Sequence, residues 1–203
     1  MKIIETRMAP NPRRVRIFLK EKGIDIPYEQ ISIMEDDHKS EDFTEKNPGQ
    51  RVPVLVLDDG TCLSETVAIC RYFEELQPSP VLFGTGALER ATVEMWNRRM
   101  EHGLFFHIAQ HFRHLNPAMA ELEVPQVKEW GQANGPKAIA CMEVLDAQLA
   151  GNAFVAGANY SIADITAMVA IDFLKPARLQ LPDNLTNIAR WHGELAARPS
   201  ADA

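Results

Sequence analysis

No stretch of this chain holds the ~18 consecutive apolar residues that a membrane-spanning helix needs, so no helical membrane protein is expected. The start, Met1-Lys2-Ile3-Ile4-Glu5-Thr6, turns acidic before an apolar core can form, and no secretory leader is expected either. Cysteine is scarce. Cys62, Cys70 and Cys141 form neither a CxxC pair nor an even disulfide framework, and such usage implies a reducing cytoplasm. Excess positive charge is also lacking: the net charge is −7, whereas a general nucleic-acid binder carries a basic footprint. The one basic cluster, Arg13, Arg14, Arg16, Lys20 and Lys22, reads as a solvated helix face rather than a polyanion site. Internal repeats and low-complexity segments are absent. What remains is a chain of 203 residues, 46% hydrophobic and 24% charged, long enough for one large domain or two small ones.

The first eighty residues alternate strand and helix signals. Lys2–Thr6 is a short extended segment. Ala9-Pro10-Asn11-Pro12 is a turn that also starts a helix, with Asn11 suited to the N-cap and Pro12 to the first helical position. Val15, Phe18 and Leu19 fall on one helical face, and Gly23 can close that helix. Tyr28–Ile33 alternates like a strand, and Asp36–Lys46 is polar and loosely helical. Val54–Leu57 is a dense apolar strand followed by an Asp59-Gly60 hairpin turn. Ser64–Gln77 reads as a helix with Val67, Cys70, Tyr72 or Phe73, and Leu76 facing inward. The order β-α-β-α-β-β-α predicts an α/β domain of thioredoxin type over residues 1–78.

Pro78-Ser79-Pro80 opens a linker over 79–86, beyond which strand signals vanish and residues 87–203 predict an all-α domain. Ala87–Leu115 is apolar at helical spacing, and such a helix exceeds 40 Å at ~1.5 Å per residue. Gln126–Leu149 is a second helix, weakened at Gly131 and Gly135-Pro136. Ile162–Leu174 is nearly all apolar and must be buried, and a last helix covers Asn184–Ala197.

Three patterns, in order and suitably spaced, resemble the glutathione S-transferase family. They are Asn47-Pro48-Gly49-Gln50-Arg51-Val52-Pro53-Val54-Leu55, Leu63-Ser64-Glu65-Thr66-Val67-Ala68-Ile69, and Ser161-Ile162-Ala163-Asp164. Together they span both predicted domains. The resemblance implies a protein that binds glutathione and attacks an electrophilic or disulfide substrate with its thiol. It also implies a homodimer, with no metal, nucleic acid or membrane partner.

Glutathione is an extended tripeptide with two carboxylates, an amine and a thiol, and extended peptides bind by pairing with an exposed strand edge. The resemblance implies that Pro53 is cis and that Val52 offers its N–H and C=O to the cysteinyl unit. Glu65-Thr66 opens a helix, whose N-terminus suits the γ-glutamyl carboxylate. Glu65 can pair with the γ-glutamyl amine and Thr66 can use its hydroxyl, although Ser64 or Thr66 could equally serve as a simple cap. His38 and Lys39, thirteen and twelve residues before Arg51, match positions that contact the glycine carboxylate in theta-class-like members, and Arg51 is a further cation there. Asp164 belongs to a capping box with Ser161, flanked by Tyr160 and Ile165 as a hydrophobic staple, so its role is structural.

Theta- and nu-like members hold the thiolate with a Ser or Thr after the first strand, and here Ala9 stands in that place. Asn11 is the remaining candidate donor, unless it is a plain N-cap; Thr6 is nearby. The departure leaves glutathione binding intact and bears on the strength of conjugation. Disulfide reduction, dehalogenation or non-catalytic binding are the alternatives on the same site. His107, His111 and His114 sit at i, i+4, i+7, but the outer two stand ~10 Å apart along a helix, too far to share one ion. Met95, Arg98, Arg99, Glu101, His102, Phe105 and Phe106 lie where the family's second-substrate pocket often draws from this long helix.

Overall fold

Ile3 and Ile4 carry strand β1 (Lys2–Glu5) into the interior of a four-stranded sheet. β2 (Tyr28–Gln30) is its parallel neighbour and, with all three residues exposed, a polar edge. On the other side β3 (Val54–Val56) runs antiparallel to β1, and β4 (Cys62–Ser64) antiparallel to β3, giving the order β2-β1-β3-β4. Helices α1 (Pro10–Lys22), α2 (Glu41–Lys46) and α3 (Thr66–Leu76) complete the mixed α/β layer structure of a thioredoxin-like domain. α1 ends at Gly23, whose φ of 64° only glycine adopts without strain. In α3 the inward row is Thr66, Ile69, Cys70 and Phe73; Leu76, expected inside, is exposed as the last residue of the helix.

The computed structural model describes all 203 residues. They form two units, Met1–Val81 together with Pro199–Ala203, and Leu82–Arg198. The C-terminal segment lies along α1: Arg13 donates to the Ala201 carbonyl at 2.9 Å, Lys20 pairs with Asp202, and the Ser200 hydroxyl donates to Glu21. The basic cluster of α1 is therefore not a solvated face. Arg16 is buried against Glu5, and the Lys22 ammonium is enclosed by Glu74 and the Gln77 and Pro80 carbonyls. Buried cations are tolerated when they are paired and hydrogen-bonded in this way.

The second unit is all helical. α4 (Gly86–Arg98) passes through a π-helical segment (Arg99–Phe105) into α5 (Phe106–Leu115), followed by α6 (Lys128–Leu149), α7 (Ile162–Asp172) and α8 (Thr186–Ala196). Every residue of α7 from Ile162 to Ile171 is buried. Its first turn is held by Asp164, wholly buried. Oδ2 accepts from the Ser161 N–H and hydroxyl, and Oδ1 from the Val155 N–H and Trp191 Nε1. Gly131 and Gly135, read from sequence as weak points of α6, are where α5 comes closest. A Cβ on Gly131 would stand 2.7 Å from Leu115 Cγ. No helix is long and apolar enough to cross a membrane.

Candidate functional site

The register of the sheet gathers the candidate residues of the first unit. Ile4 pairs with Val54, and Val54 with Ser64, so the end of β1, the start of β3 and the end of β4 lie at one edge. Glu5 pairs in parallel with Gln30, which brings the exit of β2 to the same edge. From it leave the β1–α1 loop, the segment before Pro53, the Glu65–Thr66 corner and the loop holding His38 and Lys39. Ala9 and Val52 meet in one apolar cluster with Ile4, Phe43 and Val54.

In the β1–α1 loop the helix starts earlier than expected. Ala9 is the N-cap, Pro10 is the first helical residue and Asn11 the second, so Asn11 is not the cap. Starting at Pro10 puts Pro12 in the first turn as well, where neither proline's missing N–H is needed. The Asn11 N–H is then the one main-chain donor among the first three helical positions. Its side-chain Oδ1 accepts from Arg14 Nη1 at 3.3 Å, which leaves the NH₂ as the open end of the amide. The Thr6 hydroxyl donates its proton to the Ile31 carbonyl at 2.7 Å. Thr6 is thereby committed to the loop rather than to a ligand.

The Val52–Pro53 peptide is cis, and both residues are buried. Asn47, which sequence reasoning passed over, organises this segment: its Nδ2 donates to the Arg51 carbonyl at 2.7 Å and its Oδ1 accepts from the Gly49 N–H. The signal was there in Asn-Pro-Gly, a turn in which an Asn side chain can cap its own backbone. At the Glu65–Thr66 corner, Glu65 is the N-cap of α3 with φ 72°, a left-handed value that costs a non-glycine residue energy, and its side chain makes no capping bond. Thr66 is buried beside it. Neither α1 nor α3 has an acidic residue in its first turn, and α1 has Arg13 and Arg14 near its start. The positive partial charge at the start of α1 is thus uncompensated, and at the start of α3 the N-cap Glu65 is the nearby acidic residue.

His38 is buried in a short 3₁₀ turn, and its Nδ1 has no hydrogen-bond partner. Burial first, then the charges of Lys39 and Arg51, hold its pKa below the usual imidazole value. Lys39 is paired with Asp36 at 2.8 Å, while Arg51 is exposed and donates to the Gln50 carbonyl.

The second-substrate candidates belong to the helical unit. Met95, Arg98, Arg99, His102 and Phe106 share its exposed face. Phe105 is a core residue set edge-on to Phe173, and Glu101 is 3.7 Å from Arg98. The three histidines of α5 bridge to α6. His107 Nδ1 donates to Asn134 at 2.6 Å and His111 Nδ1 to the Gly131 carbonyl, whereas His114 Nδ1 accepts from the Val127 N–H. No group of three or more His, Cys, Asp or Glu side chains is placed to hold a metal ion.

Comparison with known proteins assigns both parts of the chain to one family. The profile of the glutathione S-transferase N-terminal domain matches residues 9–76, and that of the C-terminal domain residues 99–199. Glutathione S-transferase 2 of Saccharomyces cerevisiae is 36% identical over 203 residues, covering 98% of this chain and 87% of the relative. The crystal structure of Gtt2 from the same organism superposes with a TM-score of 0.96 at 36% identity, covering 100% of this chain and 99% of its own. That of a glutathione S-transferase domain-containing protein from Marinobacter aquaeolei gives 0.96 at 38% identity, covering 99% and 100%. With both domain profiles matched and whole-length relatives of this identity, the chain belongs to the glutathione S-transferase family.

Proposed function

We propose that this protein binds glutathione along the shared edge of its sheet and activates the thiol for attack on an electrophilic carbon. In this reading the Val52 main chain pairs with the cysteinyl unit. Glu65 takes the γ-glutamyl amine, while Thr66 and the start of α3 take the γ-glutamyl carboxylate. His38, Lys39 and Arg51 face the glycine carboxylate. The thiol releases its proton to water, Asn11 donates a hydrogen bond to the resulting thiolate, and sulfur forms the new bond to carbon as the leaving group departs with its bonding electron pair. Charge-assisted hydrogen bonds and the positive partial charge at the two helix starts favour the anions of the ligand.

The observation that carries the reading is Glu65. A glutamate held at φ 72° at a helix start, with its carboxylate committed to no partner, is strain kept at a position where a cationic ligand group would use it. Calorimetry of glutathione binding tests this. Glu65→Ala and Thr66→Ala should each weaken binding by ~1.5–3 kcal/mol, about 10- to 150-fold, while moving the melting temperature little. Unchanged affinity in both variants would remove the assignment.

A further inference from the structure

Behind the β1–α1 loop lies a closed ring of hydrogen bonds that the reading above does not use. The Arg7 N–H donates to Gln30 Oε1 at 2.9 Å, and Gln30 Nε2 donates to Glu5 Oε1 at 2.7 Å. Arg16 Nη1 donates to Glu5 Oε2 at 2.6 Å, and Arg16 Nη2 returns to the Arg7 carbonyl at 2.8 Å. Both main-chain groups of Arg7 are thereby fixed by side chains from β1, α1 and β2. Glu5 and Arg16 are buried, while Gln30 is on the exposed edge strand.

The ring has a direction. Arg7 contributes a donor and an acceptor that no side-chain change can reverse, Arg16 can only donate, and with Gln at position 30 the sequence closes only if residue 5 accepts at both oxygens. Two main-chain bonds flank the ring: the Ala9 N–H to the Thr6 carbonyl at 2.9 Å within the loop, and the Ile31 N–H to the Glu5 carbonyl at 2.9 Å between β1 and the exit of β2. The loop so held ends at Ala9 and Asn11. Since Ala9 has no hydroxyl with which to reach a sulfur, the aim of the Asn11 amide depends on the path of the loop.

We propose that Glu5 and Arg16, through Gln30 and the Arg7 main chain, are positioning residues for thiol activation, aiming the start of α1 at the sulfur of bound glutathione. This rests on the glutathione-activating reading of the site. A structural role alone would lower stability and leave the bound thiol's acidity where it was.

The test is thiolate absorbance against pH for the glutathione complex, with steady-state kinetics, in wild type, Glu5→Gln and the swap Glu5→Gln with Gln30→Glu. In Glu5→Gln one link must set donor against donor. The bound thiol's pKa should rise by about half a unit, reducing thiolate and kcat below that pKa by ~3-fold, with KM for glutathione within about 2-fold. In the swap, Arg7 N–H meets Glu at 30, whose other oxygen accepts from Gln at 5, whose carbonyl accepts from Arg16. Every donor is matched again, and both readouts should return to wild type. Should Glu5→Gln fail to fold, Gln30→Ala at the exposed edge cuts the ring at Arg7 and should shift the pKa in the same direction. Coincident titrations in wild type and the ring variants, or a swap no better than the single change, overturn the ring's role. A wild type with no bound thiolate at any pH overturns the reading of the site beneath it.

Discussion

Asn11 offers two donors, its carboxamide NH₂ and its main-chain N–H, and they can be told apart. In Asn11→Ala the main-chain donor survives and the side chain is lost. If the amide holds the thiolate, the bound thiol's pKa should rise by up to about one unit, worth ~1.4 kcal/mol, and the rate at neutral pH should fall, with glutathione affinity nearly unchanged. Coincident thiolate titrations would assign the task to the N–H and the helix end. His38 is the second residue with a pH signature. Its pKa is held down by burial, so in the free protein the unfolded chain takes up a proton first, and stability is lost as pH falls below the unfolded value of ~6.5. A ligand carboxylate beside it would favour the imidazolium and reverse this. Glutathione should therefore raise the melting temperature more at pH 5.5 than at pH 7.5, and His38→Gln should erase the difference.

Among the elements, α6 and α7 show how far periodicity carries and where it stops. A reader of the sequence finds both helices, the buried stripe of α7 and the Ser161–Asp164 capping box, because each is a local pattern. What Gly131 does is not local. Its effect on helix propensity argues for weakness, yet its bare Cα faces Leu115 and His114 on α5. Gly131→Ala should therefore destabilise by ~1–3 kcal/mol in denaturant melts, although in an open helix alanine would gain about 1. The start of α1 was misread for a related reason: two prolines two residues apart both suit a first turn, and only the path of the preceding loop selects Pro10. The π-helical turn and the split of Phe105 from Phe106 are likewise set by packing against other helices. The candidate glutathione residues could be found because they follow compact motifs. Asn47 was missed because its work is on the main chain.

Asp164 adds a pH dependence to α7. Burial pushes its carboxyl up to about 6, against four hydrogen bonds that pull it down. The folded protein then binds the proton more tightly than the unfolded chain, so this group's contribution is greatest at low pH and declines as pH rises through about 6. Asp164→Asn should remove that decline. It also costs ~1–3 kcal/mol for an NH₂ set against donors, in a protein that still binds glutathione. Stability curves at pH 5 and pH 7.5 should show a wild-type advantage that is smaller at the higher pH.

At the scale of the molecule, the chain leaves the first unit after Val81 and returns at Pro199. The returning segment is held by Arg13, Lys20 and Glu21 of α1; of its three links Lys20–Asp202 is solvent-exposed and the other two are partly buried. The exposed pair contributes ~0–1 kcal/mol and the partly buried hydrogen bonds to charged groups ~1.5–3 kcal/mol each, so removing Pro199–Ala203 should lower the melting temperature by about ten degrees. The route of the chain has a mechanical consequence. Tension applied between Met1 and Ala203 runs first through the tail's grip on α1 and bypasses the helices from Leu82 to Arg198, because both handles belong to the first unit. Those helices come under load only after the tail has peeled away, so a pulling trace should show a small early slip before any large extension, and Arg13→Ala should bring that slip to lower force.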